Sequence, residues 1–316
     1  MKVLLTGADG FAGGWLTRAL LGAGHTVAGV HRTGGHPSPI LTPQEQGRVE
    51  WREMELRDGA SVVTALAGEW DAVVHLAGVS SGAEARRDPG LAWEVNAAGS
   101  ARLAESLGVM VADGRAAPLL LFVSTSEVYG QGTGALRLEN DVLVPCSPYA
   151  ASKVGAEVAV QEVARRTGLR VIVARPFQHT GPGQDARFVI PALAQRVRAA
   201  KRAGEATIKT GTLDVIRDLL DVRDVAAAYV ALLERGIPGE TYNVATGTGY
   251  ALVAVFERLQ RMLGWRVKAE PDPQLARPSD ITHLVGDATK LRSATGWAAR
   301  FTLDQTLQDL CDAQAD

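Results

Sequence analysis

The stretch Thr6-Gly7-Ala8-Asp9-Gly10-Phe11-Ala12-Gly13 decides the fold. It joins a predicted buried strand, Lys2–Thr6, to a helical pattern over Phe11–Leu21 that Gly22 and Gly24 end. In this GxxGxxG spacing Gly7 permits a tight turn. Gly10 lets backbone approach a diphosphate, and Gly13 lets helix and strand pack closely. The helix N-terminus then faces the negative charge. The pattern predicts dinucleotide binding at Gly7, Asp9, Gly10, Phe11 and Gly13. A glycine-rich turn with packing duties alone is the plain alternative.

Outward from that turn, short β-rich runs alternate with helical stretches. Strands are predicted over Thr26–Val30, Val49–Glu55, Ala72–Leu76, Pro118–Thr125 and Leu169–Arg175. Asp58 suits the N-cap of a helix reaching about Ala67, and Ala92–Leu107 is helical. Thr33 to Gly47 carries three prolines and three glycines and reads as an exposed loop. This βαβαβ rhythm predicts an α/β fold, a doubly wound parallel sheet of Rossmann type. In the second half, helices are expected over Phe188–Arg202, Val222–Glu234, Leu252–Leu263 and Leu303–Leu310, with a strand over Thr241–Ala245 and a proline-rich loop over Pro271–Pro278. The expected organisation is a dinucleotide-binding domain over residues 1–175, rejoined by segments near 211–247. A smaller, interleaved substrate domain falls mainly within 176–316.

The 316 residues are 46% apolar and 22% charged, a globular balance that excludes a disordered or fibrous chain. No apolar run approaches 18 residues, and the patch after Lys2 is too short for a signal peptide. Net charge is −2 with no basic block, so neither nucleic acid nor a membrane surface is expected as partner. The two cysteines, Cys146 and Cys311, lie far apart, and the six histidines show no zinc spacing, so no disulfide framework and no metal is expected. A reducing cytoplasm is the default compartment.

The second strand ends in His31-Arg32, where a carboxylate would ordinarily meet the ribose 2′-hydroxyl of NAD. Arg32 suits a 2′-phosphate, so NADP(H) is favoured and NAD(H) is possible. The alternative leaves His31 and Arg32 solvated in a loop. Glu55 and Leu56 end the third strand, where adenine would lie.

Tyr149-Ala150-Ala151-Ser152-Lys153 is a YxxxK motif, with Ser147-Pro148 suited to the N-cap and first position of its helix. The i, i+4 spacing sets Tyr149 and Lys153 on one face. A phenol is a poor acid or base at neutral pH, and a nearby lysine cation and an oxidised nicotinamide would lower its pKa. Tyr149 then exchanges the proton of a carbonyl or alcohol during hydride transfer. Thr125, Ser126 and Glu127 follow the strand that ends near Val123, in the crevice at strand carboxyl ends. Thr125 is the hydroxyl best suited to bond the reacting oxygen.

With these motifs in this order, the chain resembles the extended short-chain dehydrogenase/reductase superfamily almost end to end. The matching stretches are TGADGFAGGWL at 6–16, HLAG at 75–78, Asn96 in EVNAAGS, STSEVYG at 124–130, SPYAASK at 147–153 and RPFQHTGPGQ at 175–184. The resemblance implies Thr125, Tyr149 and Lys153 as catalytic, with Lys153 also on the nicotinamide ribose. It implies cofactor-side positions at Leu76, Ala77 and Asn96, the last structural or relaying water. It also implies a homodimer through the helices at Ala92–Leu107 and Tyr149–Arg166.

Segments 175–191, 209–225 and 276–297 look like the GDP-sugar branch, nearer its GDP-4-keto-6-deoxy-D-mannose reductases than its dehydratases. That branch implies Arg217 and Arg277 on the diphosphate, in loops, and Phe188 and Val189 around the base. Arg217 paired at the surface with Asp218 or Asp221 is the plain alternative. Gln178 replaces the usual Asn at a substrate contact, and Ser126 replaces an acidic residue of other sugar-nucleotide dehydratases. Glu127 is shared by dehydratases, where it removes the C5 proton, and by reductases. The expected reaction is NADPH-dependent reduction of the C4 ketone of GDP-4-keto-6-deoxy-D-mannose, giving GDP-D-rhamnose or GDP-6-deoxy-D-talose. The alternatives are a dehydratase or 4-epimerase holding NAD(P) tightly, and a non-enzymatic NADP-binding protein.

Overall fold

The computed structural model describes residues 1–131, 135–275 and 281–314. The first half builds a seven-stranded sheet. Its strands are β1 (Lys2–Thr6), β2 (Thr26–His31), β3 (Val49–Glu53), β4 (Ala72–His75), β5 (Leu119–Val123), β6 (Arg170–Pro176) and, from further along the chain, β10 (Thr241–Val244). The order is β10-β6-β5-β4-β1-β2-β3, and each neighbouring pair is parallel. The strand order reverses between β1 and β4. In such sheets a ligand crevice opens there, at the strand carboxyl ends. β4 and β5 are buried along their whole length, as strands covered on both faces must be.

One face is covered by α1 (Phe11–Gly22) and α6 (Val222–Arg235), the other by α2 (Gly59–Leu66), α3 (Gly99–Ala112) and α4 (Pro148–Thr167). Two apolar cores follow. Leu16, Leu20 and Tyr229 fill the first, and Leu103, Leu107 and Val160 fill the second. Asp58 caps α2 through its carboxylate on the Ala60 N–H, as expected.

The second half adds β7 (Gln178–Thr180), α5 (Val189–Ala203), β8 (Thr207–Thr210) and β9 (Ile216–Asp221). Beyond β10 come β11 (Gly249–Ala251), α7 (Leu252–Leu263), β12 (Lys268–Pro271), β13 (His283–Leu284) and α8 (Leu303–Ala313). β9 is flanked by β7, β11 and β13, while β8 pairs with β12. A third core of α5, α7 and α8 holds Val197, Phe256 and Leu307.

Two expectations need correction. The segment Thr33 to Gly47 is not simply exposed. Thr42 and Glu45 form a capping box on the short helix Pro43–Gln46, and Ser38 and Leu41 are buried. The helix expected over Ala92–Leu107 starts as a π-helical turn, Trp93–Ala98, before α3 runs on to Ala112. Such turns arise where the regular ladder is sacrificed to place a side chain, and Asn96 is the buried residue it places. No helix of the described residues is long and apolar enough to cross a membrane.

Candidate active site

The phosphate loop is built by exclusion of side chains. Gly7 has φ +71, and a Cβ there would lie 2.9 Å from the Ala77 nitrogen. A Cβ on Gly13 would lie 2.0 Å from the Gly7 carbonyl oxygen. The loop is tied to β2 by the Gly7 N–H and Ala8 N–H on the Val30 carbonyl. Gly10 is exposed, and Asp9 and Phe11 are half-buried. α1 starts without a side-chain cap, so its first N–H groups keep their bonding capacity for an anion. The loop therefore fits a dinucleotide diphosphate. Ala77 donates its N–H to Thr6 Oγ1, and half-buried Leu76 precedes it. Arg32 is exposed at the end of β2, and its charge reaches Glu55. Glu55 is also paired with Arg57, which holds its carboxyl below the usual range, and Leu56 is buried beside it.

The polar cluster lies where β5 ends. Thr125 is buried, accepts the Glu127 N–H at 3.2 Å and is hydrogen-bonded to the Tyr149 hydroxyl. Ser126, also buried, and Glu127 continue the same turn. Ser147 caps α4 through the Ala150 N–H, with Pro148 first in the helix, which brings Tyr149 over that turn. Lys153 donates to the Val123 carbonyl at 2.6 Å and stands 4.8 Å over the Phe122 ring. Burial lowers its pKa to about 8, against the field of Glu157. The Tyr149 phenol is pushed up, not down: burial acts first, then the Glu127 carboxylate, and only the Thr125 bond opposes them. The expected lowering by Lys153 is not seen; its ammonium bonds the Val123 carbonyl at the end of β5. The Tyr149 phenol is thus protonated at neutral pH.

Two buried oxygens at this edge, Ser124 Oγ and Gln178 Oε1, have no hydrogen-bond partner among the described residues. Ser124 follows directly on β5, and Gln178 opens β7 just past β6. Buried polar atoms left unpaired are costly, and these two lie beside the polar cluster with hydrogen-bonding capacity unused.

A family model described as GDP-mannose 4,6 dehydratase matches residues 4–310. The chain belongs to the GDP-mannose 4,6-dehydratase family. Among curated proteins it is 33% identical, over 97% of its own length and 95% of the other's, to GDP-6-deoxy-D-mannose reductase of Pseudomonas aeruginosa. Among solved structures, RMD from Pseudomonas aeruginosa complexed with NADPH superposes with a TM-score of 0.82 at 32% identity, covering 99% of this chain and 98% of that one. UDP-glucose 4-epimerase of Thermus thermophilus, in complex with NAD, gives 0.86 at 28% identity over the whole of both chains. This member of the GDP-mannose 4,6-dehydratase family is an extended short-chain dehydrogenase/reductase, an NAD(P)-dependent sugar-nucleotide enzyme.

The remaining expected positions of this family member distribute unevenly. Arg217 lies in strand β9, not in a loop, and is 7% exposed. Its strand neighbours rule out the surface pairs: Asp218 is fully buried on the Thr246, Gly247 and Gly286 N–H groups, and Asp221 holds Arg223 and Thr306. Phe188 precedes α5 with its ring under the Arg187 guanidinium, and Val189 packs on the third core. Arg277 lies outside the described residues. The Asn96 carboxamide is committed to Val79, through both N–H and carbonyl, and to Ser152 Oγ, which clamps the loop after β4 to α4.

The sequence reading missed three features. His75 bridges Thr6 and Ser100 in the sheet interior. His179 stacks on Phe11, with ring centroids 6.4 Å apart, and so lays segment 175–183 on the phosphate loop. Glu157 and Arg175 form a buried ion pair. Only the last had a legible signal, since Glu157 repeats the four-residue interval of Tyr149 and Lys153.

Proposed function

We propose that the chain reduces the C4 ketone of GDP-4-keto-6-deoxy-D-mannose with NADPH. The observation that carries this reading is the Tyr149–Thr125 hydroxyl pair at the carboxyl end of β5, with the phenol held protonated. A ketone oxygen seated between the two hydroxyls accepts both bonds. As charge develops on O4, Tyr149 passes its proton to it and Thr125 keeps it aligned. NADPH, when bound, supplies the hydride. Lys153, anchored on Val123, holds the nicotinamide ribose and keeps positive charge near the reacting groups. The phosphate loop Gly7–Gly13 takes the diphosphate, Arg32 the 2′-phosphate, and Glu55, Leu56, Leu76 and Ala77 line the nucleoside side.

Gln178, Ser126, Phe188, Val189, Arg217 and Arg277 hold the sugar nucleotide in this reading, so residues 176–316 serve mainly the substrate and 1–175 mainly the cofactor. The similarity to the Pseudomonas aeruginosa reductase and to the NADPH complex supports the substrate class and NADP(H) over NAD(H). The product is GDP-D-rhamnose or GDP-6-deoxy-D-talose, according to which face of the ketone meets the nicotinamide. The reading includes a homodimer in the cytoplasm. Val158 and Val109, on α4 and α3, are 60% and 43% exposed, and Val63, 60% exposed, lines one surface hollow with Val158.

Mixing the chain with NADPH and GDP-4-keto-6-deoxy-D-mannose is expected to consume nicotinamide absorbance, with NMR giving the C4 configuration. The Glu127 carboxylate beside Tyr149 favours one other reading, water elimination from GDP-mannose with retained cofactor. Turnover of GDP-mannose without added NADPH would replace the first reading with that one.

A further inference from the structure

Tyr149, Lys153 and Glu157 stand at four-residue intervals along α4, on one face of the helix. Glu157 is 2% exposed. Its carboxylate accepts from Arg175 Nε at 3.0 Å and Nη2 at 2.7 Å. Arg175, near the end of β6, gives its Nη1 to the Tyr129 hydroxyl and to the Glu139 carbonyl, both at 3.0 Å. The Tyr129 hydroxyl in turn donates to Asn243 Oδ1 on β10 at 2.6 Å. Tyr129 closes the turn that begins with Thr125 and Glu127. One buried guanidinium therefore joins the catalytic helix, the catalytic turn and two strands.

A buried pair of this kind contributes little net stability compared with apolar residues of the same volume. Its weight lies in what it fixes. We propose that Glu157, locked by Arg175, is a positioning residue that fixes a carboxylate one helical turn from Lys153, and that Arg175 through Tyr129 holds the Thr125 turn in register with α4. This rests on the reading of Lys153 as a cofactor-holding residue.

The surroundings of Lys153 leave this role to Glu157. From β5 it meets the Phe122 ring and the Val123 carbonyl, neither of which is ionised. From β4 it faces His75, which burial keeps neutral. On its own helix stand Tyr149, a neutral phenol, and Glu157, whose field raises the Lys153 pKa against burial. Arg175 holds the Glu157 carboxylate through two charge-assisted hydrogen bonds.

The test uses NADPH affinity, followed by nicotinamide fluorescence from pH 6.5 to 9.5 without sugar nucleotide. Wild-type affinity is expected to weaken through about pH 8, where Lys153 loses its proton. Glu157→Gln removes the carboxylate charge and is expected to move that midpoint down by roughly one pH unit. Glu157→Asp keeps the charge and returns the midpoint toward wild type. A wild-type affinity flat across this range overturns the Lys153 reading and this inference with it. A wild-type midpoint that Glu157→Gln leaves in place overturns this inference alone. If Glu157→Gln does not fold, Tyr129→Phe carries the test: kcat should drop roughly three- to tenfold with the midpoint unchanged, and a wild-type kcat overturns the proposal.

Discussion

Thr6 and His75 meet at the reversal point of the sheet, with Thr6 Oγ1 and His75 Nδ1 2.7 Å apart at the carboxyl ends of β1 and β4. The other ring nitrogen reaches Ser100 Oγ on α3 at 2.9 Å. The histidine thereby ties the strand entering the phosphate loop to the helix behind it.

Burial, helped by the Lys153 cation, lowers the His75 pKa to about 3. An unfolded histidine titrates near ~6.5. Between those values the unfolded chain binds the extra proton, so stability is full above about pH 6.5 and falls as pH drops toward 3. Urea unfolding should show this residue contributing a slope of up to ~1.4 kcal/mol per pH unit in that window. In His75→Gln that part of the slope should vanish. Equal slopes in the two proteins would remove His75 from the account.

Tyr149→Phe keeps the ring and removes the proton donor. NADPH oxidation with the keto sugar should fall roughly 10²- to 10⁴-fold, with KM for the sugar nucleotide little changed. A variant turning over at the wild-type rate would refute the role given to the phenol.

Gln178→Leu removes a buried acceptor that has no protein partner among the described residues. Thermal unfolding should shift upward by an amount worth about 1 kcal/mol, while KM for the sugar nucleotide rises roughly tenfold. Opposite signs on stability and binding are the signature of an atom held for a ligand. A variant less stable than wild type with unchanged KM would show Gln178 to be ordinary packing.

Arg32→Ala leaves the phosphate loop intact and removes the cation at the end of β2. KM for NADPH should rise roughly 10- to 100-fold while KM for NADH stays put. Equal losses with both cofactors would place Arg32 outside 2′-phosphate recognition.

Gly13→Ala puts a methyl 2.0 Å from the Gly7 carbonyl oxygen, against backbone that cannot yield. Binding of either dinucleotide should be lost and the melting temperature lowered. Near-normal NADPH binding in this variant would show that α1 can retreat from the loop without consequence.

The first half of the fold was legible because local signals agree with tertiary ones there. Apolar β-branched runs such as Ala72–His75 are buried on both faces, and Asp58 and Ser147 mark helix starts that tertiary packing does not override. The strands around Arg217 were not legible. β7, β11 and β13 are three residues or fewer, too short for any period to register. The motif residues Thr125, Tyr149 and Lys153 announce themselves by spacing. The Arg175–Tyr129–Asn243 chain does not, since its members are 46 and 114 residues apart. The raised Tyr149 phenol could not be foreseen either, because it depends on which neighbour Lys153 reaches.

The long loop after β2 carries a consequence for redesign. Ser38 donates to the Gly10 carbonyl and occupies the space above Gly14, Ile40 presses on Gly183, and Arg18 grips the Ile40 carbonyl. This loop is a wedge between the phosphate turn and segment 181–183, which follows directly on the Gln178 strand. Replacing the loop to change cofactor preference would therefore be felt at segment 181–183 and, on the proposed function, at the sugar. A graft that stops before Pro37 exchanges the Arg32 surroundings alone. A graft that runs through Ile40 removes the wedge, and an enzyme remade for the other nicotinamide would then bind its sugar less well.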